Sequence, residues 1–195
     1  MTKKVHKRSI MKKEYRNSTR TKKMIRAAFA ELIGEKKIIS NISVAELSER
    51  ADIAKSTFYN HYEDIYAVAD EMYRELIESL NDAIDAMESD TSGDYKLYLE
   101  RIFDFIEENE DLYRKVINSP EAVFFIDKVK YVVSKRAFAN KSFFEDVKMK
   151  PIRMVQVQFL TNACVDTMVD YFRGNIDMEF DDFKRFVLEF IDRMI

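Results

Sequence analysis

The stretch that decides the fold runs Ser43-Val-Ala-Glu-Leu-Ser-Glu-Arg-Ala-Asp-Ile-Ala-Lys-Ser-Thr-Phe-Tyr-Asn-His-Tyr62. Ser43 and Glu46 have the spacing of a capping box, in which the serine accepts a hydrogen bond from a first-turn amide and the glutamate reaches back. Asp52 marks a turn, because Asp tolerates the left-handed conformation better than most residues. The stretch therefore predicts a short helix, a tight turn, and a second short helix from about Lys55 to Tyr62.

The apolar residues of this stretch and of the segment before it define a small core. Phe58 and Tyr62 stand at i and i+4, so both can pack onto the preceding helices. Upstream, apolar residues at helical spacing predict an amphipathic helix that ends near Gly34; they are Ile25, Ala28, Phe29 and Leu32. The polar residues of the second short helix are left to face outward.

The chain is electrostatically divided. Residues 1–62 contain 15 Lys and Arg against 6 Asp and Glu, a net charge of +9, whereas the remaining residues contain 17 against 29, a net charge of −12. Such a division is typical of a chain that contacts nucleic acid at one end. A solvated basic tail explains the charge equally well, and the helix pair within the basic part favours the first interpretation.

The outward residues of the second short helix have the chemistry that DNA recognition requires. In a helix-turn-helix, the second helix lies in the major groove and its N-terminal side chains contact base edges. Lys55 suits guanine or phosphate, Thr57 offers a hydroxyl and a methyl group, and Asn60 suits adenine. Tyr59 and His61 suit phosphate oxygens. The predicted DNA contacts are Ser43, Lys55, Ser56, Thr57, Tyr59, Asn60 and His61. The alternative is a three-helix core with a polar face that is merely solvated.

The segment from Ile42 to Tyr62, the helix before it, and the run Thr57-Phe-Tyr-Asn-His-Tyr62 before a long helix resemble the TetR family of bacterial transcriptional regulators. The resemblance covers about residues 20–77. It implies three DNA-binding helices, a fourth helix that links them to a ligand-binding body, and a homodimer formed through the last two helices. On this basis we expect a repressor that binds a pseudo-palindromic operator in double-stranded DNA and is released by a small effector.

Four positions depart from the usual pattern of that family. Asp52 stands where glycine is usual, so the turn is expected to be slightly strained, and Ala54 stands where serine usually caps the next helix. Ile65 replaces a lysine that commonly contacts phosphate, and Ser56 replaces a frequent glycine. We expect these departures to change individual DNA contacts and to leave the fold intact.

The predicted organisation is all-α, because only 3 Gly and 2 Pro interrupt long helical stretches. It comprises a flexible basic arm (1–18), a helix-turn-helix DNA-binding domain (19–63) and a helical effector-binding and dimerisation domain (64–195). Helices predicted at 151–173 and 180–195 suit the dimer interface that the resemblance implies. The first of them is apolar on more than one face, and burial of both faces inside one subunit is the alternative.

The body is rich in side chains that can line an adaptable cavity. Residues 63–195 contain 13 Phe, 7 Tyr and 7 Met, which suit a small apolar or aromatic effector. Candidates at central helix positions are Tyr98, Phe103, Phe124, Phe125, Met168 and Phe172. The same residue types also suit an ordinary core, so the assignment stays open at this point.

Other functions are disfavoured. Both histidines, His6 and His61, lie in the basic part, which argues against a His-dependent triad or a His/Cys zinc site in the body. We therefore expect no enzyme, no metal and no other cofactor. The single cysteine, Cys164, fits a core position in a cytoplasmic protein, and no uncharged run is long enough to span a membrane. A TetR-like activator or adaptor controlled by a protein partner is the alternative function.

Overall fold

The computed structural model describes residues 2–90, 95–139 and 150–194, and all regular secondary structure within these ranges is helical. The α-helices are α1 (Thr2–Lys36), α2 (Val44–Arg50), α3 (Lys55–Tyr59), α4 (Ile65–Asp90), α5 (Tyr95–Glu108), α6 (Glu110–Val116), α7 (Val123–Ala139), α8 (Lys150–Phe172) and α9 (Phe180–Met194). Short 3₁₀ turns lie at Ile39–Asn41 and Pro120–Ala122. The prediction of an all-α chain is confirmed. Of the helices described, none is long and apolar enough to cross a membrane.

The chain forms two compact units, residues 1–73 and 74–195. The division lies inside α4, beyond the boundary predicted between residues 63 and 64. It differs because the first turns of α4 bury Ile65, Val68 and Met72, and because Glu71 pairs with Lys22 of α1. The beginning of α4 therefore belongs to the first unit.

The core of the first unit is built from the apolar faces of its helices. Ile25, Phe29 and Leu32 of α1 are inaccessible to solvent, as their spacing predicts. Leu47 of α2 and Phe58 of α3 are buried as completely. Burial of one such side chain is worth about 1.5–3 kcal/mol. Phe58 therefore anchors a helix that is only 5 residues long.

The turn between α2 and α3 ends with a Schellman motif. The amide of Ile53 donates to the carbonyl of Ser48 at 2.9 Å, and the amide of Asp52 donates to the carbonyl of Glu49 at 3.0 Å. This motif needs a left-handed residue directly after the helix cap. Asp52 occupies that position with a φ of 53°. The strain expected from the replacement of glycine is thus located in the backbone of Asp52.

The predicted capping box of α2 is only half formed. The hydroxyl of Ser43 accepts a hydrogen bond from the amide of Glu46 at 3.2 Å, as predicted. The carboxylate of Glu46 accepts instead from Lys36 Nζ at 2.6 Å. A bond between two charged groups is stronger than one to a neutral amide. Glu46 therefore connects α2 to the end of α1, and its expected role in the cap is corrected.

The first helix is longer than predicted. α1 begins at Thr2, so the backbone of residues 2–18, predicted to be a flexible basic arm, is helical. These residues include no Gly or Pro and many Lys and Arg, which are good helix formers. The structure differs from the prediction because a segment without apolar periodicity can still have a high helix propensity.

In the second unit, α5 packs against α9 and α7 packs against α8. Aromatic rings join several of these helices: Tyr171 of α8 stacks on Phe183 of α9 with centroids 5.0 Å apart, and Phe103 of α5 lies 6.5 Å from Phe183. Lys184 of α9 also pairs with Asp104 of α5. These contacts fix α5, α8 and α9 around a common core.

We expect Asp52→Gly to raise the free energy of unfolding by about 1 kcal/mol, because glycine adopts a positive φ without the steric cost that Asp carries. Chemical denaturation followed by circular dichroism measures the change. Ala45→Gly, at an exposed position of α2, is the matched control and should lower the free energy of unfolding by about 1 kcal/mol. An Asp52→Gly variant no more stable than the parent would show that the turn is unstrained.

Candidate nucleic-acid interface and ligand cavity

The outer side of α3 and of the turn after it presents polar side chains above a buried anchor. Phe58 is inaccessible to solvent, and the ring of Tyr59, 60% exposed, meets it edge-on. The six predicted contact residues of this segment are called the α3 surface: Lys55, Ser56, Tyr59 and Asn60 are exposed, and Thr57 and His61 are half-buried. All six are accessible to a partner, and their contact with DNA stays a prediction.

The start of α3 lacks a side-chain cap. Ala54 is the N-cap residue and makes no cap hydrogen bond, as its methyl side chain predicts. Lys55 follows it, and within the ranges described its ammonium has no ion-pair partner. Ser43, at the start of α2, is exposed, and because its hydroxyl acts as an acceptor within the cap, its proton stays available. These positions therefore offer free donors to an anionic partner.

A charged and aromatic cluster connects the start of α4 to α1. Lys22 Nζ lies 2.8 Å from one carboxylate oxygen of Glu71 and 3.0 Å from the other, and Arg26 Nη1 lies 3.4 Å from the same carboxylate. Arg26 also donates to the hydroxyl of Tyr62 at 3.3 Å. Lys22 Nζ lies over the Tyr62 ring, 5.1 Å from its centroid. These four residues are called the Glu71 cluster.

Burial and charge act in opposite directions on the acids of the Glu71 cluster. Burial raises the pKa of Tyr62 to about 12, so its hydroxyl keeps its proton. Burial also opposes ionisation of Glu71, but hydrogen bonds from Lys22 and Tyr62 and the charges of Lys22 and Arg26 outweigh it, and the pKa of Glu71 is lowered. Glu71 is therefore ionised at neutral pH.

Glu71 was not among the residues identified from the sequence. The available signal was its position on α4, at i+3 from Val68 and directly before Met72, both of which are buried. An acid on the apolar face of an amphipathic helix needs a partner when that face is buried. The sequence did not indicate that the partners would be Lys22 and Arg26.

The second unit contains a cavity of about 190 Å³ among its helices. Five of the six predicted pocket residues line it: Tyr98, Phe103, Phe125, Met168 and Phe172. Phe124 does not, because its side chain is 81% exposed. Successive residues of a helix differ in direction by about 100°, so α7 directs Phe125 and Ile126 inward and Phe124 outward. The prediction for Phe124 is corrected accordingly.

The cavity wall is mostly hydrocarbon. As far as the described residues show, it includes no charged side chain, and its polar groups come from Tyr98, Tyr113, Thr161 and Cys164. Burial raises the pKa of Cys164 to about 11 and that of Tyr113 to about 12. Both groups are therefore neutral, and the thiol is a part of the wall rather than a nucleophile. Tyr113 and Thr161 were not predicted, although Tyr113, Val116 and Ile117 have the i, i+3, i+4 spacing of a buried helix face.

The last two helices each have a second apolar face at the surface. On α8, Val155 and Phe159 are exposed while Val157 and Leu160 are buried. On α9, Phe186 and Phe190 are exposed and stack 6.2 Å apart, while Phe183, Val187 and Ile191 are buried. The alternative, burial of both faces within one subunit, does not occur in the described part of the chain. The exposed apolar faces are available for packing against the helices of a partner.

Comparison with known proteins agrees with this arrangement. A family model for the TetR-type transcriptional regulator C-terminal region matches residues 93–193, more than half of the chain. The fold is similar to that of a TetR transcriptional regulator from Streptococcus agalactiae 2603V, with a TM-score of 0.63, 21% identity, and coverage of 91% of this chain and 97% of that chain. It is also similar to that of the dihydroxyacetone kinase operon activator DhaS, with a TM-score of 0.61, 17% identity, and coverage of 90% and 96%. No curated protein sequence matches the chain.

We expect Glu71→Gln to lower the free energy of unfolding by about 1–3 kcal/mol at pH 7, because two cations lose their charged partner. The pKa of Glu71 is lowered on folding. The extra free energy of unfolding of the parent is therefore complete above pH 4.5, the ordinary pKa of a glutamate, and is lost as the pH falls through the lowered pKa of the folded state. Urea denaturation of both proteins between pH 7 and pH 3 measures this difference.

Glu78→Gln is the matched control, because Glu78 forms an exposed pair with Arg74 at 3.8 Å. Its effect should stay within about 0.5 kcal/mol. A Glu71→Gln variant as stable as the parent, or one whose deficit grows in acid, would contradict the role assigned to the cluster.

Proposed function

The chain belongs to the TetR family of transcriptional regulators, and we propose that it is a cytoplasmic, homodimeric repressor that releases its DNA operator when a small apolar or aromatic effector occupies the cavity. The α3 surface carries this proposal. Its six accessible polar side chains lie above the buried Phe58 in the part of the chain that has a net charge of +9. A net positive charge of this kind attracts the phosphate backbone of DNA.

The α3 surface has two kinds of groups. Lys55 and Asn60 have donors and acceptors that match guanine and adenine edges in the major groove. Tyr59 and His61 suit phosphate oxygens and position the helix on the duplex. Ser43, Ser56 and Thr57 add short hydroxyl contacts. In a homodimer, two copies of α3 would enter successive major grooves about 34–36 Å apart, which matches a pseudo-palindromic operator.

The exposed apolar faces of α8 and α9 support dimerisation through these helices. Ile152, Val155 and Phe159 form one stripe on α8, and Phe186 and Phe190 form another on α9. Two copies can bury both stripes in a four-helix bundle. Since residues 63–195 have a net charge of −12, two bodies repel each other, and an uncharged apolar contact is the one that overcomes this repulsion.

Helix α4 is the element through which a ligand can affect DNA binding. Val68 and Glu71 belong to the first unit, whereas Leu76 and Leu80 line the cavity in the second unit. An effector that packs on Leu76 and Leu80 favours the conformations of α4 that suit it best. The free energy by which the effector shifts the equilibrium between DNA-binding and released conformations equals the difference in its binding free energy for the two. A ligand that saturates the cavity without changing DNA affinity would contradict this step.

Substitution of the α3 surface tests DNA recognition. Tyr59→Ala should weaken binding to all sequences alike by about tenfold, whereas Lys55→Ala and Asn60→Ala should change base preference, at a cost of about 1–3 kcal/mol at the affected base pair. Fluorescence anisotropy, with operators selected from genomic fragments and with their single-base variants, measures both effects. Tyr131→Ala, on the exposed side of α7, is the control. Unchanged affinity of Tyr59→Ala would overturn the assignment of α3.

Charge placed on the exposed face of α9 tests the dimer. The double variant Phe186→Glu and Phe190→Glu should raise the dimer dissociation constant at least about 100-fold, because large apolar side chains at interface centres carry most of the association energy. Sedimentation velocity measures it, and circular dichroism verifies folding. Phe124→Glu, equally aromatic and 81% exposed on α7, should remain dimeric. A dimeric double variant would exclude α9 from the interface.

A further inference from the structure

Two hydroxyl groups in the cavity wall make no hydrogen bond within the described part of the chain. Tyr113 of α6 and Thr161 of α8 both line it, and each side chain is 7% exposed. Among the residues that the structure describes, neither hydroxyl has a hydrogen-bond partner. Neither hydroxyl oxygen is completely enclosed by protein atoms, so each can form a hydrogen bond with a group that enters the cavity. A hydrogen bond left unmade in such apolar surroundings costs free energy. A ligand group that completes one of these bonds therefore gains affinity in this cavity.

Tyr113 is well placed for this role. Its ring contacts Phe172, another wall residue, with centroids 5.6 Å apart. Packing of the ring holds the hydroxyl in position without occupying it. Burial raises the pKa of Tyr113 to about 12, so the hydroxyl carries its proton at physiological pH and acts as a donor.

The wall also excludes ionised ligands. No Lys, Arg, His, Asp or Glu lines the cavity within the described ranges. A carboxylate or an ammonium group that entered would lose its hydration and find no opposite charge. The acidic residues of the body lie elsewhere, so they do not assist a cation in this cavity.

We propose that the effector is an uncharged, mostly apolar molecule with one hydrogen-bond acceptor, such as a carbonyl oxygen, and that the Tyr113 hydroxyl donates to this acceptor. This inference rests on the proposed effector-binding function of the cavity. The apolar wall supplies contact area, and Tyr113 selects molecules that carry the acceptor. Thr161 is the second hydroxyl that could complete a bond, and a separate substitution distinguishes it from Tyr113.

Matched probes separate the effect of charge from that of the acceptor. The aromatic series is 2-acetylnaphthalene, 2-ethylnaphthalene and 2-naphthoate, and the aliphatic series is 2-decanone, decane and decanoate. Calorimetric titration and thermal denaturation of the full chain measure binding. In at least one series, the ketone should bind about three- to tenfold more tightly than the hydrocarbon. The carboxylate should bind at least about 100-fold more weakly than the ketone.

Tyr113→Phe removes the hydroxyl and keeps the ring. The affinity of the ketone should fall about three- to tenfold, to that of the hydrocarbon, whose own affinity should not change. Tyr131→Phe, at an exposed position outside the cavity, should leave both affinities unchanged. If Thr161→Val abolishes the preference for the ketone and Tyr113→Phe does not, the assignment to Tyr113 is wrong.

The remaining outcomes are also decisive. A carboxylate that binds as tightly as the ketone, or a failure of every probe to bind, overturns the inference. Operator binding measured with the same ketone distinguishes it from the proposed function. A ketone that binds as expected but leaves operator affinity unchanged supports this inference and contradicts effector-controlled release.

Discussion

The α3 surface depends on contacts that α3 does not itself contain. A helix of 5 residues has no stability of its own, since isolated helices shorter than about 12–15 residues are marginal in water. Two side chains impose its position: Phe58, which is inaccessible to solvent, and Tyr62, whose hydroxyl accepts from Arg26 and whose ring lies below Lys22. The direction in which Lys55 and Asn60 project is therefore fixed by α1 and α4 as much as by α3.

The Glu71 cluster also resolves an electrostatic conflict. The first unit is rich in cations, as DNA binding requires. Two of these cations, Lys22 and Arg26, are partly buried inside the unit. Two neighbouring cations repel each other and lose hydration there. Glu71 compensates both, so the cost of the internal cations is offset inside the unit. The exposed Lys55 is left without a competing partner among the described residues.

Local features could be predicted from the sequence, and features that depend on distant pairing could not. The last two helices were predicted at 151–173 and 180–195 and are Lys150–Phe172 and Phe180–Met194. The left-handed Asp52 follows from its own side chain and its neighbours. Glu46 could be assigned to a cap, but its bond to Lys36 depends on how α2 packs against α1. The prediction that Phe124 lines the cavity was wrong for another reason. The run Val123-Phe-Phe-Ile126 is uniformly apolar, so it has no period from which to decide the buried face.

The proposed switch sets a lower limit on the difference in ligand-binding free energy that the cavity must provide between the two states. A hundredfold loss of DNA affinity requires a ligand whose affinity differs by about 2.7 kcal/mol between the two states. One neutral hydrogen bond of the kind proposed for Tyr113 contributes about 0.5–1.5 kcal/mol, which is too little. At about 25 cal/mol per Å², the rest corresponds to about 50–90 Å² of apolar surface buried in one state alone, less than the area of a single aromatic side chain. The hydrocarbon wall can therefore provide the strength of the switch, and Tyr113 determines which molecule operates it.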